Sequence, residues 1–196
     1  MVDRRVLVLS AREFPLGELC AMRLDGELYG VDDCFASLDE FDSRSLRAAV
    51  VAAGRHPRLI AEQWTAAWVW GAAVAPPLRH TFCVRLDARI GRVTSGPTIV
   101  REVSLEPAEE SAIGPLRLTS PLRTLTDLAR WSETGSGTGA ERTEPSAVIA
   151  VIAALRSIGE LSLERCLAEL DAKPHLPHKN RAQVLLRRSA EEGHSR

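Results

Sequence analysis

The apolar residues of this chain come in short runs, the longest being Ala66–Pro77, and each run is cut by Gly, Pro or an acidic pair. That length falls well short of the ~20 residues a membrane-crossing helix needs. Several short elements must therefore bury their faces against one another. Both structural periods are present. Leu28–Val31 and Cys34–Ser37, parted by Asp32-Asp33, have the make-up of a strand hairpin. Trp64, Ala67, Trp68 and Gly71 recur at helical spacing. With 196 residues, 45% hydrophobic and 26% charged, the composition is that of an ordinary globular chain with room for a sizeable core. The expectation is an α/β (α+β) protein with a small mixed sheet and packed helices.

Residues 6–10 read as a buried strand, and a helix is expected after Pro15, ending near Asp25-Gly26 ahead of the hairpin. A helix followed by a hairpin is the second half of a winged helix, so residues 1–57 are expected to be partially winged-helix-like. Asp42 is the expected cap of a helix from Ser43 to Ala53, with Gly54 as its left-handed stop. Residues 58–131 read as an α/β core. It holds a strand at Arg58–Ala61, a helix at Glu62–Trp70, and strands at Thr81–Leu86, Thr98–Leu105 and Leu116–Leu118. A helix then starts at Ser120-Pro121, where a hydroxyl cap precedes a proline whose missing N–H costs nothing. Residues 132–145 are Gly-, Ser- and Thr-rich without apolar periodicity and read as a connector. Residues 146–196 are expected to form a separate helical unit, with helices at Ala147–Ser157, from Ser162, and after Pro177.

The net charge of −1 gives no whole-molecule field for nucleic acid, so any such contact must come from a local patch. One candidate patch is Arg4, Arg5, Arg12 and Arg23, diluted by Glu13, Glu18, Asp25 and Glu27. The other lies between Ala172 and Ala190, where Lys173, Lys179, Arg181, Arg187 and Arg188 meet no acidic residue. Four scattered cysteines without a CxxC pair read as reduced thiols, and the N-terminus lacks a secretory apolar stretch, so the expected location is cytoplasmic. Reactive motifs read as structural. The Gly135–Gly139 string follows no strand and lacks a Walker lysine. The His175/His178 pair is interrupted by Pro177 and has no third ligand nearby. Asp171-Ala172-Lys173 has the acid and lysine of a metal-dependent nuclease but closes a helix. No catalytic set, metal or cofactor is expected. Arg123 and Asp127, four apart on one helix, can pair in the order the helix dipole disfavours, which hints at a role beyond helix support.

Two strings carry a resemblance. Thr65-Ala66-Ala67-Trp68-Val69-Trp70-Gly71 is followed some fifty residues on by Thr119-Ser120-Pro121-Leu122-Arg123-Thr124-Leu125-Thr126-Asp127-Leu128-Ala129. In order and spacing they resemble the AbiEi family of bacterial antitoxins in its actinobacterial form, and Leu176–Ala182 resembles the tail of that group. The likeness covers residues 58–131 well and the rest loosely. It implies an antitoxin of a type IV toxin–antitoxin pair, with a nucleotidyltransferase toxin and operator DNA as partners, no membrane and no small-molecule substrate. The chain departs from the family pattern in its short N-terminus, since a full winged helix needs about three helices before the wing. The motif residues Thr65, Ala66, Trp68, Gly71, Thr119, Pro121, Arg123, Thr124 and Asp127 suit a scaffold. Two alternatives stand beside the antitoxin: a protein-interaction module without DNA binding, and a metal-dependent nuclease relative.

Overall fold

The computed structural model describes residues 6–88, 98–131, 144–173 and 175–192. β1 (Val8–Ser10) leads through Pro15 into α1 (Leu16–Leu24), which stops ahead of Gly26 at φ 77°. β2 (Leu28–Val31) and β3 (Cys34–Ser37) form the expected hairpin with the expected bounds. β1 pairs antiparallel with β3, so the first sheet runs β1-β3-β2. Among the described residues, one helix precedes the hairpin. α2 (Arg44–Ala52) is capped by Ser43, whose Oγ accepts from the Leu46 amide at 3.1 Å. Asp42 is not the cap. The Arg47 guanidinium donates to both its oxygens, at 2.7 and 2.5 Å, and that fork-to-carboxylate fit takes Asp42 away from the helix end. Gly54 ends this helix at φ 61°, as expected, and the Arg12 side chain crosses directly over it.

The second sheet contains β4 (Ile60–Ala61), β5 (His80–Arg85), β6 (Thr98–Val103), β7 (Glu110–Ile113) and β8 (Leu116–Thr119), in the order β6-β5-β4-β8-β7. β4 is parallel to β8 and β5 to β6, while the β4–β5 and β7–β8 pairs are antiparallel. The sheet is therefore mixed. β7 lies where no strand was expected: in Glu110–Ile113 only Ile113 is β-branched, and the Arg117 guanidinium reaching Glu110 across the pair helps hold it to β8. Two helices leave the carboxyl ends of the adjacent parallel strands: α3 (Gln63–Trp70) after β4, and α4 (Pro121–Trp131) after β8.

Three further helices, α5 (Pro145–Ile158), α6 (Leu163–Asp171) and α7 (Lys179–Glu192), complete the described fold. They are not packed as a separate unit. One buried cluster runs from Cys34 through Leu46, Trp68, Phe82, Leu125 and Leu128 to Ile152, Leu155, Cys166, Leu170 and Leu186. The cause is α5, whose Val148, Ile149, Val151, Ile152 and Leu155 are all buried, an apolar surface too wide to be left facing water. Each fully buried Leu or Ile contributes about 1.5–3 kcal/mol. The expected 132–145 connector, with the Gly135–Gly139 string, falls outside the described residues except for Glu144 and Pro145, and Pro145 already belongs to α5. Among the described residues, no single helix is long and apolar enough to cross a membrane.

Candidate functional site

The two motif strings become neighbours because their helices start from adjacent parallel strands. Ala66 and Ala67 are fully buried on α3, and their small side chains let α4 approach. Gly71 ends α3 in the left-handed region at φ 85°. The Trp70 indole Nε1 donates to the Thr119 carbonyl at 2.9 Å, joining the end of one motif to the start of the other. Thr124 Oγ1 donates back to the Ser120 carbonyl at 2.9 Å and lies 2.7 Å from the Thr119 hydroxyl. These threonines are buried, so their hydroxyls are consumed by the turn that begins α4.

Behind that turn is an ionic network that joins α4 to β6, to the start of α3, to the turn at Glu109 and to α6. Asp127, with a side chain only 2% exposed, accepts from Arg123 Nε at 2.9 Å and from Arg130 Nη1 at 3.2 Å. Arg101 Nη2, on β6, stands 4.0 Å from the same carboxylate. Arg101 donates through Nε and Nη2 to both oxygens of Glu62, at 2.7 and 2.6 Å, and Glu62 is buried where β4 turns into α3. The next residue, Gln63, takes φ 47°, a left-handed backbone that makes this junction sharp. Glu109 lies 3.0 Å from Arg123 Nη1 and accepts from Lys173 Nζ at 2.6 Å, and Lys173 also reaches Glu169 at 2.8 Å. Buried charges persist only when paired and hydrogen-bonded in this way.

Protonation follows from these contacts. Burial pushes the Glu62 carboxyl above the usual carboxylate range, against the pull of Arg101, whose own proton is held more firmly by the same contact. Burial would also raise Glu109, but the Lys173 hydrogen bond, the Glu106 amide and the Arg123 charge outweigh it and hold the group below its ordinary value. Burial weakens the hold of Arg123 on its proton, yet Asp127 and Glu109 more than restore it. Every network carboxylate except Glu62 lies along a cleft of about 760 Å³ with Arg101, Arg123, Arg130, Arg165 and Lys173. Leu122, Leu161 and Leu176 supply apolar lining.

No family model matches the chain, and no curated protein matches it. Among solved structures, the crystal structure of the Rv2827c protein from Mycobacterium tuberculosis is similar at 15% identity and a TM-score of 0.49, over 95% of this chain and 73% of that one.

The expected DNA-contacting residues are dispersed. Arg4 and Arg5 lie outside the described residues. Arg12 donates to the Gly54 carbonyl, while Arg23 is exposed on α1. Lys179 pairs with Asp171 at 2.8 Å, and Arg181 is half-buried. Arg187 and Arg188 remain exposed on α7. The C-terminal basic run is thus partly neutralised by Glu109, Glu169 and Asp171, acids that lie on other elements or an earlier turn. The same pairings answer the nuclease motif: Asp171 and Lys173 face different partners. Among the described residues, no cluster of three His, Cys, Asp or Glu side chains could hold a metal ion.

A second polar chain joins the hairpin to the core. His80 Nε2 lies 2.6 Å from Asp32 Oδ2 in the β2–β3 turn, and its Nδ1 lies 3.3 Å from Thr65 Oγ1. Thr, His and Asp are the residue types of a nucleophilic relay. Here Thr65 is fully buried and its oxygen already accepts from the Thr81 amide at 2.8 Å, so no reacting carbonyl could reach it. The buried thiols are likewise unreactive, with Cys34 pushed up to about 12 by burial and the neighbouring Asp33. Tryptophans Trp64, Trp68 and Trp70 pack in or against the core, as their helical spacing indicated.

Glu62, Arg101 and Glu109 did not stand out in the sequence. Their ionic partners are 14 to 64 residues away by number, beyond any local spacing rule. A glutamate set two residues before the apolar run Trp64–Trp70 was the one available sign.

Proposed function

We propose that this chain is an antitoxin-like protein that works by contact, and that the contact is with a protein, in keeping with a nucleotidyltransferase toxin. The observation that carries the reading is α1. Only Leu19 on this helix is buried, while Leu16 and Leu24 are 57% and 88% exposed and Cys20 between them is also exposed. These three residues stand at i, i+4 and i+8, one uncharged stripe along the helix. Phe14 and Phe41 add exposed aromatic surface from the same N-terminal region. Exposed apolar side chains aligned along one helix are suited to a protein partner. Phosphate would find less to hold, because the hairpin turn presents Asp32 and Asp33 and engages His80 and Arg55 instead. The motif residues support a scaffold role, since their polar groups are spent on hydrogen bonds and ion pairs within the fold.

The test is co-purification with the product of an adjacent nucleotidyltransferase gene, together with rescue of growth against it. Leu24→Glu should abolish both while leaving the unfolding midpoint unchanged, because its side chain is almost wholly in solvent. Full rescue by the Leu24→Glu protein would sink the proposal. A second reading, operator binding, rests on exposed Arg23 with Arg187 and Arg188. It predicts a gel shift of upstream DNA that weakens steeply with salt and is lost in Arg23→Glu.

A further inference from the structure

Charge is not spread evenly along this chain. Residues 13–43, which hold α1, β2 and β3, carry nine acidic side chains and one basic, Arg23, while the chain as a whole is only −1. The remaining residues are therefore net positive. Part of the acidity is spent within the fold: Asp32 is held by His80, Asp33 by Arg55 and Asp42 by Arg47. Glu18, Asp25, Glu27 and Asp39 are exposed and make no ion pair among the described residues. The Arg23 guanidinium lies over β2 at Gly30.

Three of these carboxylates stand at one end of the small sheet. The Glu27 amide donates to the Met22 carbonyl in the last turn of α1 at 2.9 Å, and the Glu27 carbonyl accepts from the Leu38 amide just past β3 at 3.2 Å. One residue thus ties the end of the helix to the end of the strand. Leu24 and Asp25 close α1, Leu38 and Asp39 leave β3, and Phe41 follows on a segment whose Glu40 carbonyl accepts from the Tyr29 hydroxyl at 2.8 Å. Leu38 and Phe41 are 58% and 85% exposed. The outer face of α1 leads to this end without a charge, since Leu16, Gly17, Cys20, Ala21 and Leu24 are all exposed at i, i+1, i+4, i+5 and i+8.

We infer that the partner of this surface is a basic amphipathic protein segment, its apolar side chains set on Leu24, Leu38 and Phe41 and its lysines or arginines on Asp25, Glu27 and Asp39. This deepens, and rests on, the reading of α1 as a protein contact. A cation brought to these three carboxylates breaks no ion pair of the fold, so the attraction is not offset by a lost one. Apolar side chains alone would accept many partners. The acidic rim selects against acidic ones and repels phosphate, which sets nucleic acid apart from this surface.

The experiment titrates the full chain into three fluorescently labelled helical peptides of one repeating pattern, built from Lys and Leu, from Glu and Leu, and from Lys and Ser, and reads anisotropy. The Lys/Leu peptide should bind saturably and more weakly as salt is added, because exposed charges are screened. Asp25→Asn/Glu27→Gln/Asp39→Asn should weaken it about tenfold and flatten the salt dependence, and Leu24→Ser/Phe41→Ser should weaken it by about as much. The unfolding midpoint should stay unchanged in both variants, whose altered side chains are exposed. Equal binding of the Glu/Leu peptide would overturn the basic character of the partner, and equal binding of the Lys/Ser peptide its apolar character. Absence of saturable binding, or binding untouched by either variant, would overturn the surface itself. Binding of the Lys/Leu peptide by a chain that neither captures the toxin nor rescues growth would keep this surface and remove the antitoxin reading, whereas capture and rescue without peptide binding would do the reverse.

Discussion

Asp127 is the acceptor on which the α4 network turns, and its removal gives a quantitative test. Asp127→Ala leaves Arg123 and Arg130 facing each other, with side chains 15% and 8% exposed, and brings Arg101 no compensating charge. Removing one partner of a buried ion pair costs about 3–5 kcal/mol, because the remaining charge stays desolvated. Glu109 still serves Arg123, and Pro177 still accepts from Arg130 Nε at 2.9 Å, so the low end applies. The expected loss is about 3 kcal/mol, a large part of the ~5–15 kcal/mol that holds a typical protein folded. At ~2–4 °C per kcal/mol for a chain of this size, the midpoint should fall by about 6–12 °C. Urea unfolding followed by circular dichroism measures the loss through the midpoint concentration at unchanged slope. Asp127→Asn keeps the shape and one acceptor and should lose less. The double variant Arg123→Met/Asp127→Ala should be less destabilised than the sum of its parts. A loss for Asp127→Ala within about 0.5 kcal/mol of zero would refute the network as a determinant of stability.

Two more outcomes follow from named groups. The Glu109 carboxyl is held below its ordinary value of 4.5, so its contribution is complete above that pH and is lost as pH falls through the lower native value. Glu109→Gln should therefore be less stable near neutrality but show a shallower acid limb, read by unfolding midpoints across the acid range. Gly71 sits at φ 85° with only ordinary contact in store for an added methyl, Arg47 Nη1 at 3.8 Å. Gly71→Ala should cost about 1 kcal/mol from backbone strain alone, and a neutral result by urea unfolding would contradict the left-handed cap.

What the sequence revealed depended on how local the cause was. The hairpin at 28–31 and 34–37, the start of α4 at Pro121 and the stops at Gly54 and Gly71 all rest on neighbouring residues, and each lies where expected. The Arg123–Asp127 pair was legible for the same reason. Glu62 and Glu109 were not, because burial and distant arginines give them their roles. β7 was missed because pairing with β8, and not its own composition, makes it a strand. The C-terminal helices read as separate because a Gly-, Ser- and Thr-rich stretch of sequence precedes them, yet the apolar breadth of α5 commits them to the common core. The basic run before Ala190 shows the limit of counting charges along a chain, since its neutralising acids are assembled by folding.

The link from Asp32 through His80 to Thr65 has a mechanical consequence. The hairpin is tied at its tip to the first turn of α3, so the small sheet is fastened to the larger one by a polar link as well as by the shared apolar cluster. A load placed on the N-terminal elements by anything gripping them would travel along an imidazole ring to the base of a motif helix. Swapping that ring for one unable to bridge both oxygens would leave the two sheets mechanically decoupled there, whatever the grip at the far end.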